Sequence, residues 1–105
     1  MSTWTAFDDG RSIGKVSTEG GVILRDDQHE MGARITLKRG ANHISISCNI
    51  YGKMDHTRFF KTVPEAEREF NPMKKELGKI VSKIKETKDQ IWVWDDISEF
   101  VRRFE

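Results

Sequence analysis

Cysteine is nearly absent. Cys48 stands alone in 105 residues, so no internal disulfide can brace the fold, and a reducing, cytoplasmic setting is the expectation. No apolar run approaches the roughly 20 residues that a bilayer-spanning helix needs. The opening MSTWTAFDDG has no basic stretch leading into an apolar one, the pattern of a secretory leader. Low-complexity tracts and internal repeats are missing too. So is an excess of one charge: 18 Lys and Arg face 17 Asp and Glu, which leaves no global field to draw the chain to nucleic acid or to an anionic membrane.

Catalytic signatures are equally scarce. Gly10, Gly14, Gly20, Gly21, Gly32 and Gly40 are scattered, and the Gly20-Gly21 pair leads into a strand, whereas a phosphate-cradling loop lies between a strand and a helix N-terminus. Asp26, Asp27, His29 and Glu30 crowd three carboxylates and an imidazole into five residues, and His56 could approach them. Such groups can bind a divalent metal or move protons. Their spacing, however, is neither that of an EF-hand loop nor that of a zincin helix, and a polar hairpin tip reads the same way. Cys48 falls on the oily side of its strand, where a thiol is inert, so a nucleophilic pair with His43 or His56 has no support in the spacing. No cofactor and no resident metal are expected.

What the chain does contain is a pattern. Ala33, Ile35 and Leu37 alternate with Arg34, Thr36 and Lys38; after the turn Arg39-Gly40-Ala41-Asn42, Ile44, Ile46, Cys48 and Ile50 alternate with Ser45, Ser47, Asn49 and Tyr51. A period of two places each set on one face of a sheet, so this hairpin has an oily side and a polar side, and its register is fixed by the oily one. Upstream, 3–7, 12–17 and 22–25 read as short strands, with Asp26–Glu30 as a polar tip. Downstream, His56–Lys61 reads as a further strand.

Beyond Lys61 the period changes. Ala66, Phe70, Met73, Leu77, Ile80, Val81 and Ile84 fall on one stripe of a helical wheel, and Thr62 with Glu65 forms a capping box. Phe70 and Met73 keep phase across Pro72, which favours one kinked helix over two. Ile91-Trp92-Val93-Trp94 then reads as a β-like run. Ile97, Phe100, Val101 and Phe104 read as one face of a short terminal helix capped by Asp96 and Glu99. At 36% hydrophobic and 33% charged residues, the expectation is one α+β domain over 1–105: an antiparallel meander of about five strands packed on one face by a long C-terminal helix, plus a short terminal helix.

Three functional readings follow. The leading one is a small cytoplasmic, non-enzymatic binding module, with a protein partner or a second copy of itself as its target. Its residues would be Arg34, Thr36, Ser45, Ser47, Asn49 and Tyr51 on the polar sheet face, where short neutral side chains lose little entropy on contact, together with Trp92 and Trp94 as aromatic anchors. The second is nucleic-acid binding along Lys75, Lys79 and Lys83, which rise up one helix face beside Lys74, Lys85 and Lys88; arginine and interleaved aromatics, the usual tools for reading bases, are missing from that stripe. The third is a metal-dependent or acid/base enzyme built on Asp26, Asp27, His29, Glu30 and His56.

Overall fold

A computed structural model describes residues 4–17, 20–86 and 91–105. Five strands form one antiparallel sheet in the order of the chain: β1 (Trp4–Ala6), β2 (Val22–His29), β3 (Ala33–Arg39), β4 (Ile44–Ile50) and β5 (Met54–Phe60). Two helices follow, α1 (Val63–Glu86) and α2 (Ile91–Arg103). The sheet is a meander of next-neighbour pairings throughout; short turns join β2 through β5, and a longer connection joins β1 to β2.

The central hairpin forms as its alternation requires. Ala33, Ile35 and Leu37 pair with Ile50, Cys48 and Ile46, and all six are buried. Against this face lies α1, whose Ala66, Phe70, Met73 and Leu77 are fully buried. The Thr62 hydroxyl accepts the Glu65 N–H at 3.3 Å, the cap that starts the helix. Pro72 sits inside one continuous helix, with the carbonyl four residues back belonging to exposed Arg68, where water can satisfy it. Gly78 has a packing role in mid-helix: a Cβ there would meet Nε1 of Trp4 at 3.1 Å, so the glycine lets the first strand's indole lie against the rod.

Three sequence expectations need correction. Residues 12–17 are not a strand; they run alongside the start of β2, joined to it by the bridge of Val16 with Val22 and by backbone bonds of Gly14 and Lys15 to Ile23. The supposed polar tip at Asp26–His29 is the second half of β2. Its charges are tolerated in a strand because each has a partner: Arg25 reaches Glu67 at 3.2 Å, Lys74 reaches Asp27 at 2.9 Å, and Arg34 grips Asp26. Finally, Ile91–Trp94 is the first turn of α2 and not a strand, so Asp96 lies inside the helix and pairs with Lys83 at 3.3 Å instead of capping. Buried Val93, Ile97, Phe100 and Phe104 make that helix's inner face, and the imidazole of His56 bonds the Phe104 carbonyl through Nε2 at 2.8 Å.

A bulge in β2 organises the other side of the sheet. Register shifts between Ile23 and Arg25, so that Ile23 stands opposite Lys38 while Arg25 stands opposite Leu37. Without the extra residue both would share a face. With it, Arg25 faces α1 and lies over the Phe70 ring at 4.1 Å, and Ile23 is turned to the reverse face. There it is buried beneath residues 12–17, which are tied to it by Gly14 N–H to Ile23 O at 2.8 Å and Ile23 N–H to Lys15 O at 3.0 Å. We call residues 7–17 the strap.

Candidate binding surface

Register turns the reverse face of the sheet into a small grid. Its first row is Ile23, Lys38, Ser45 and Phe59; its second is Asp26, Thr36, Ser47 and Thr57; its third is Gln28, Arg34, Asn49 and Asp55. Neither helix covers it, because both pack on the opposite face. The strap crosses its β2 side, where Phe7 lies under the Arg34 guanidinium at 3.5 Å. The β4 and β5 columns stay open.

Two clefts lie on this face and meet at Lys38. The larger, about 510 Å³, runs between the strap and β4–β5 and is lined by Ser12, Lys15, Arg34, Ser47, Asn49 and Asp55 among others. The second, about 490 Å³, is bounded by Gly40, His43, Ser45, Thr57 and Phe59. Its rim is aromatic: Phe59 is 62% exposed and meets the His43 ring edge-on at 5.0 Å.

The floor of the larger cleft is rigid. Asp26, with its side chain fully buried, accepts Arg34 Nε at 2.9 Å, Arg34 Nη2 at 2.7 Å and the Thr36 hydroxyl at 2.9 Å. A fork of this kind fixes the guanidinium plane and leaves its outer edge available to the cleft. Ser47 and Thr57 share a hydrogen bond of 3.2 Å across the strands. On the wall the strap brings, Ser12 is 7% exposed and its hydroxyl has no hydrogen-bond partner among the described residues. An unmade bond of that kind costs on the order of 1–3 kcal/mol. The strap is also strained where it begins, with Asp8 and Asp9 both at positive φ, 50° and 55°, a conformation uncommon outside glycine. Asp8 is held by Arg11 at 2.8 Å, and that hydrogen bond lowers its carboxyl pKa.

The expected binding residues divide between two places. Arg34, Thr36, Ser45, Ser47 and Asn49 share the reverse face as anticipated, although Thr36 and Ser45 are themselves buried and serve as floor. Tyr51, 86% exposed, belongs to the β4–β5 turn, just past the end of β4. Trp94, 50% exposed, is at the same end of the molecule, with Lys53 of that turn 5.8 Å from its ring centroid. Trp92 packs against the core with Lys83 5.5 Å over its ring.

The other two residue sets are dispersed. Within the lysine stripe, Lys79 pairs with Glu76 and Lys83 with Asp96, each at 3.3 Å, and Lys74 is taken by Asp27. Lys75 is exposed, while the side chains of Lys85 and Lys88 fall outside the described residues. In β2, alternation sends Asp26 to the reverse face and Asp27 and His29 to the helix face. His56 stands on the far edge strand, held by Phe104. Among the described residues no group of three or more His, Cys, Asp or Glu is arranged to hold a metal ion.

Cys48 does stand directly across from His56, but burial pushes its thiol up to about 12 and the imidazole is engaged elsewhere, so the pair offers no thiolate at neutral pH. His29 is buried, accepts the Met31 N–H through Nδ1 at 3.1 Å and meets Trp4 edge-on at 5.0 Å; burial lowers its pKa against a weaker upward pull from Glu30.

Sequence reasoning missed Ser12, Lys15, Asp55, Thr57 and Phe59. Phe59-Phe60 carried a readable signal, since adjacent residues of a strand face opposite ways and one ring had to look outward. The strap carried none, because its contacts depend on the bulge. No described helix is long and apolar enough to cross a membrane. No protein-family model, curated protein or solved structure matches the chain.

Proposed function

We propose that this chain is a small non-enzymatic binding module whose ligand sits on the reverse face of β3–β5, in the cleft between those strands and the strap. One observation carries the reading: the polar face of the sheet is left uncovered by both helices and is hollowed to about 510 Å³ over a floor of Ser47, Asn49 and bonded Thr36. Ordered hydroxyl and amide groups on strands bind with little loss of side-chain freedom. A non-enzymatic role is supported by the engaged histidines and the buried thiol, and the lone thiol suits a reducing cytoplasm. The test is a thermal-shift panel of sugars, amino acids and organic acids on wild type and on Ser47→Trp, which fills the cleft. Stabilisation of the wild type that Ser47→Trp abolishes, with an unchanged circular dichroism spectrum, supports the reading; equal stabilisation of both overturns it.

Self-association is a second reading, favoured by exposed Phe59 on β5, a sheet edge of seven residues. Open edges pair readily. Sedimentation would show dimers that Phe59→Lys dissolves, and monomer at all concentrations would exclude it.

A further inference from the structure

We infer that the strap end of this cleft is an oxyanion subsite, so that the ligand carries one phosphate, sulfate or carboxylate group seated against Ser12 and Lys15, with its uncharged remainder on Ser47 and Asn49. The inference rests on the binding role proposed above for the same face. Ser12 is the observation that points to it. The residue lines the cleft, is more than nine-tenths buried, and its Oγ makes no hydrogen bond among the described residues. Folded proteins rarely leave a buried hydroxyl so, unless a ligand or water completes it. A hydroxyl that lacks an acceptor suits an oxygen-rich anion.

Charge supplies the second argument. The Lys15 N–H bonds the Ser12 carbonyl at 3.1 Å, so ammonium and hydroxyl belong to one tight turn. Lys38 and Arg34 line the same side of the cleft from β3. Asp8 and Asp9, the acids of the strap itself, both face Arg11, at 2.8 and 3.6 Å. Asp55, the other lining acid, stands on β5 at the opposite wall. Arg34 is matched by Asp26, so the Lys15 ammonium is the charge the strap brings to the cleft while Asp55 stands at the other wall, an arrangement that admits one anionic group at the strap and repels a second at β5. The hydroxyl is covered as it stands, so the subsite requires the strap to ease outward when the anion enters.

The experiment is an NMR titration of the full chain with inorganic phosphate, and separately with acetate, at constant ionic strength. Saturable shifts at the amides of Ser12, Lys15, Ser47 and Asn49 are expected. The tighter of the two probes names the anion. Lys15→Met should weaken binding by about tenfold, the worth of one charge-assisted hydrogen bond. Ser12→Ala should weaken binding while raising Tm, because it removes a bond that the unliganded fold leaves unmade; a merely structural serine would not move the two in opposite directions. Unsaturable shifts, shifts centred on Lys75 and Arg102, or Ser12→Ala binding as wild type would each overturn the subsite. Saturable binding of neutral glucose at Ser47 and Asn49, with Ser12 and Lys15 unmoved by either anion, would overturn it too while leaving the binding face standing.

Discussion

The two faces of β3 and β4 are one residue apart along the chain and opposite in what holds them. On the helix side, Ile35, Leu37, Ile46 and Cys48 meet Phe70, Met73 and Leu77 in a core closed to solvent. On the reverse side, Thr36 and Ser45 are also buried, each 7% exposed, yet the order there comes from Asp26 and its three hydrogen bonds. Apolar contact is non-directional and sums over area, whereas a carboxylate fork fixes angles. The first face supplies stability, and the second holds donors and acceptors still in front of an open cleft.

The comparison breaks if truncation costs the same on both sides. Phe70→Ala or Leu77→Ala should destabilise by about 3–5 kcal/mol, since a side chain with no exposure leaves a cavity that the helix cannot close. Asn49→Ala, exposed on the other face, should stay within about 0.5 kcal/mol. Urea unfolding of the three variants measures both. Equal losses would mean that the reverse face is covered in solution.

Asp26→Ala tests what orders the reverse face. Removing the carboxylate leaves the part-exposed Arg34 guanidinium without its partner and takes away the acceptor of the buried Thr36 hydroxyl, at an expected cost of about 2 kcal/mol. Asp26→Asn, which keeps an acceptor of the same shape, should recover part of it. If both match wild type in urea, hydrogen bonding does not hold that floor.

A smaller effect sharpens the comparison on the helix side. His29 titrates below its ordinary 6.5 because burial penalises the cation, and its Nδ1 already accepts the Met31 N–H. Below 6.5 the unfolded chain takes up a proton that the folded one resists, so unfolding gains as pH falls. The stability this residue contributes is therefore full above 6.5 and declines as pH drops through it. His29→Gln should flatten the fall in urea midpoint between pH 7 and pH 5 relative to wild type, and parallel curves would reject the assignment.

Legibility followed the same divide. The helix face could be read almost residue by residue, because Ile35, Leu37, Ile46 and the Ala66–Ile84 stripe obey strict periods of 2 and 3.6, and the α+β arrangement of a meander under a long helix came with them. The reverse face was half readable: alternation placed Ser47 and Asn49 together, but the strap and Ser12 depend on the bulge after Ile23, which no local signal announces. β2 was misread at Asp26–His29 because its charges are satisfied by Arg34, Glu67 and Lys74, partners 8 or more positions away in sequence. Trp92-Val93-Trp94 failed for another reason. A short apolar run does not declare its period, and only the spacing of Val93 with Ile97, Phe100 and Phe104 makes it helical.

The slightest effect concerns two neighbouring thiols, one native and one introduced. Cys48 is closed to solvent, and burial pushes its thiol up to about 12, so between pH 7 and pH 9 almost no thiolate forms and a disulfide reagent can reach it only when the fold opens. Its labelling should follow unfolding, slow in the native protein and rising with urea well below the midpoint. Asn49→Cys sets a second sulfur one residue on, at the open cleft. That thiol should react at once, with a rate that climbs over the same pH range as an ordinary cysteine's does. Two labelling phases of equal amplitude, only the slower accelerated by urea, would show that adjacent residues of β4 live in different solvents. A single fast phase of both would mean that α1 does not seal the sheet.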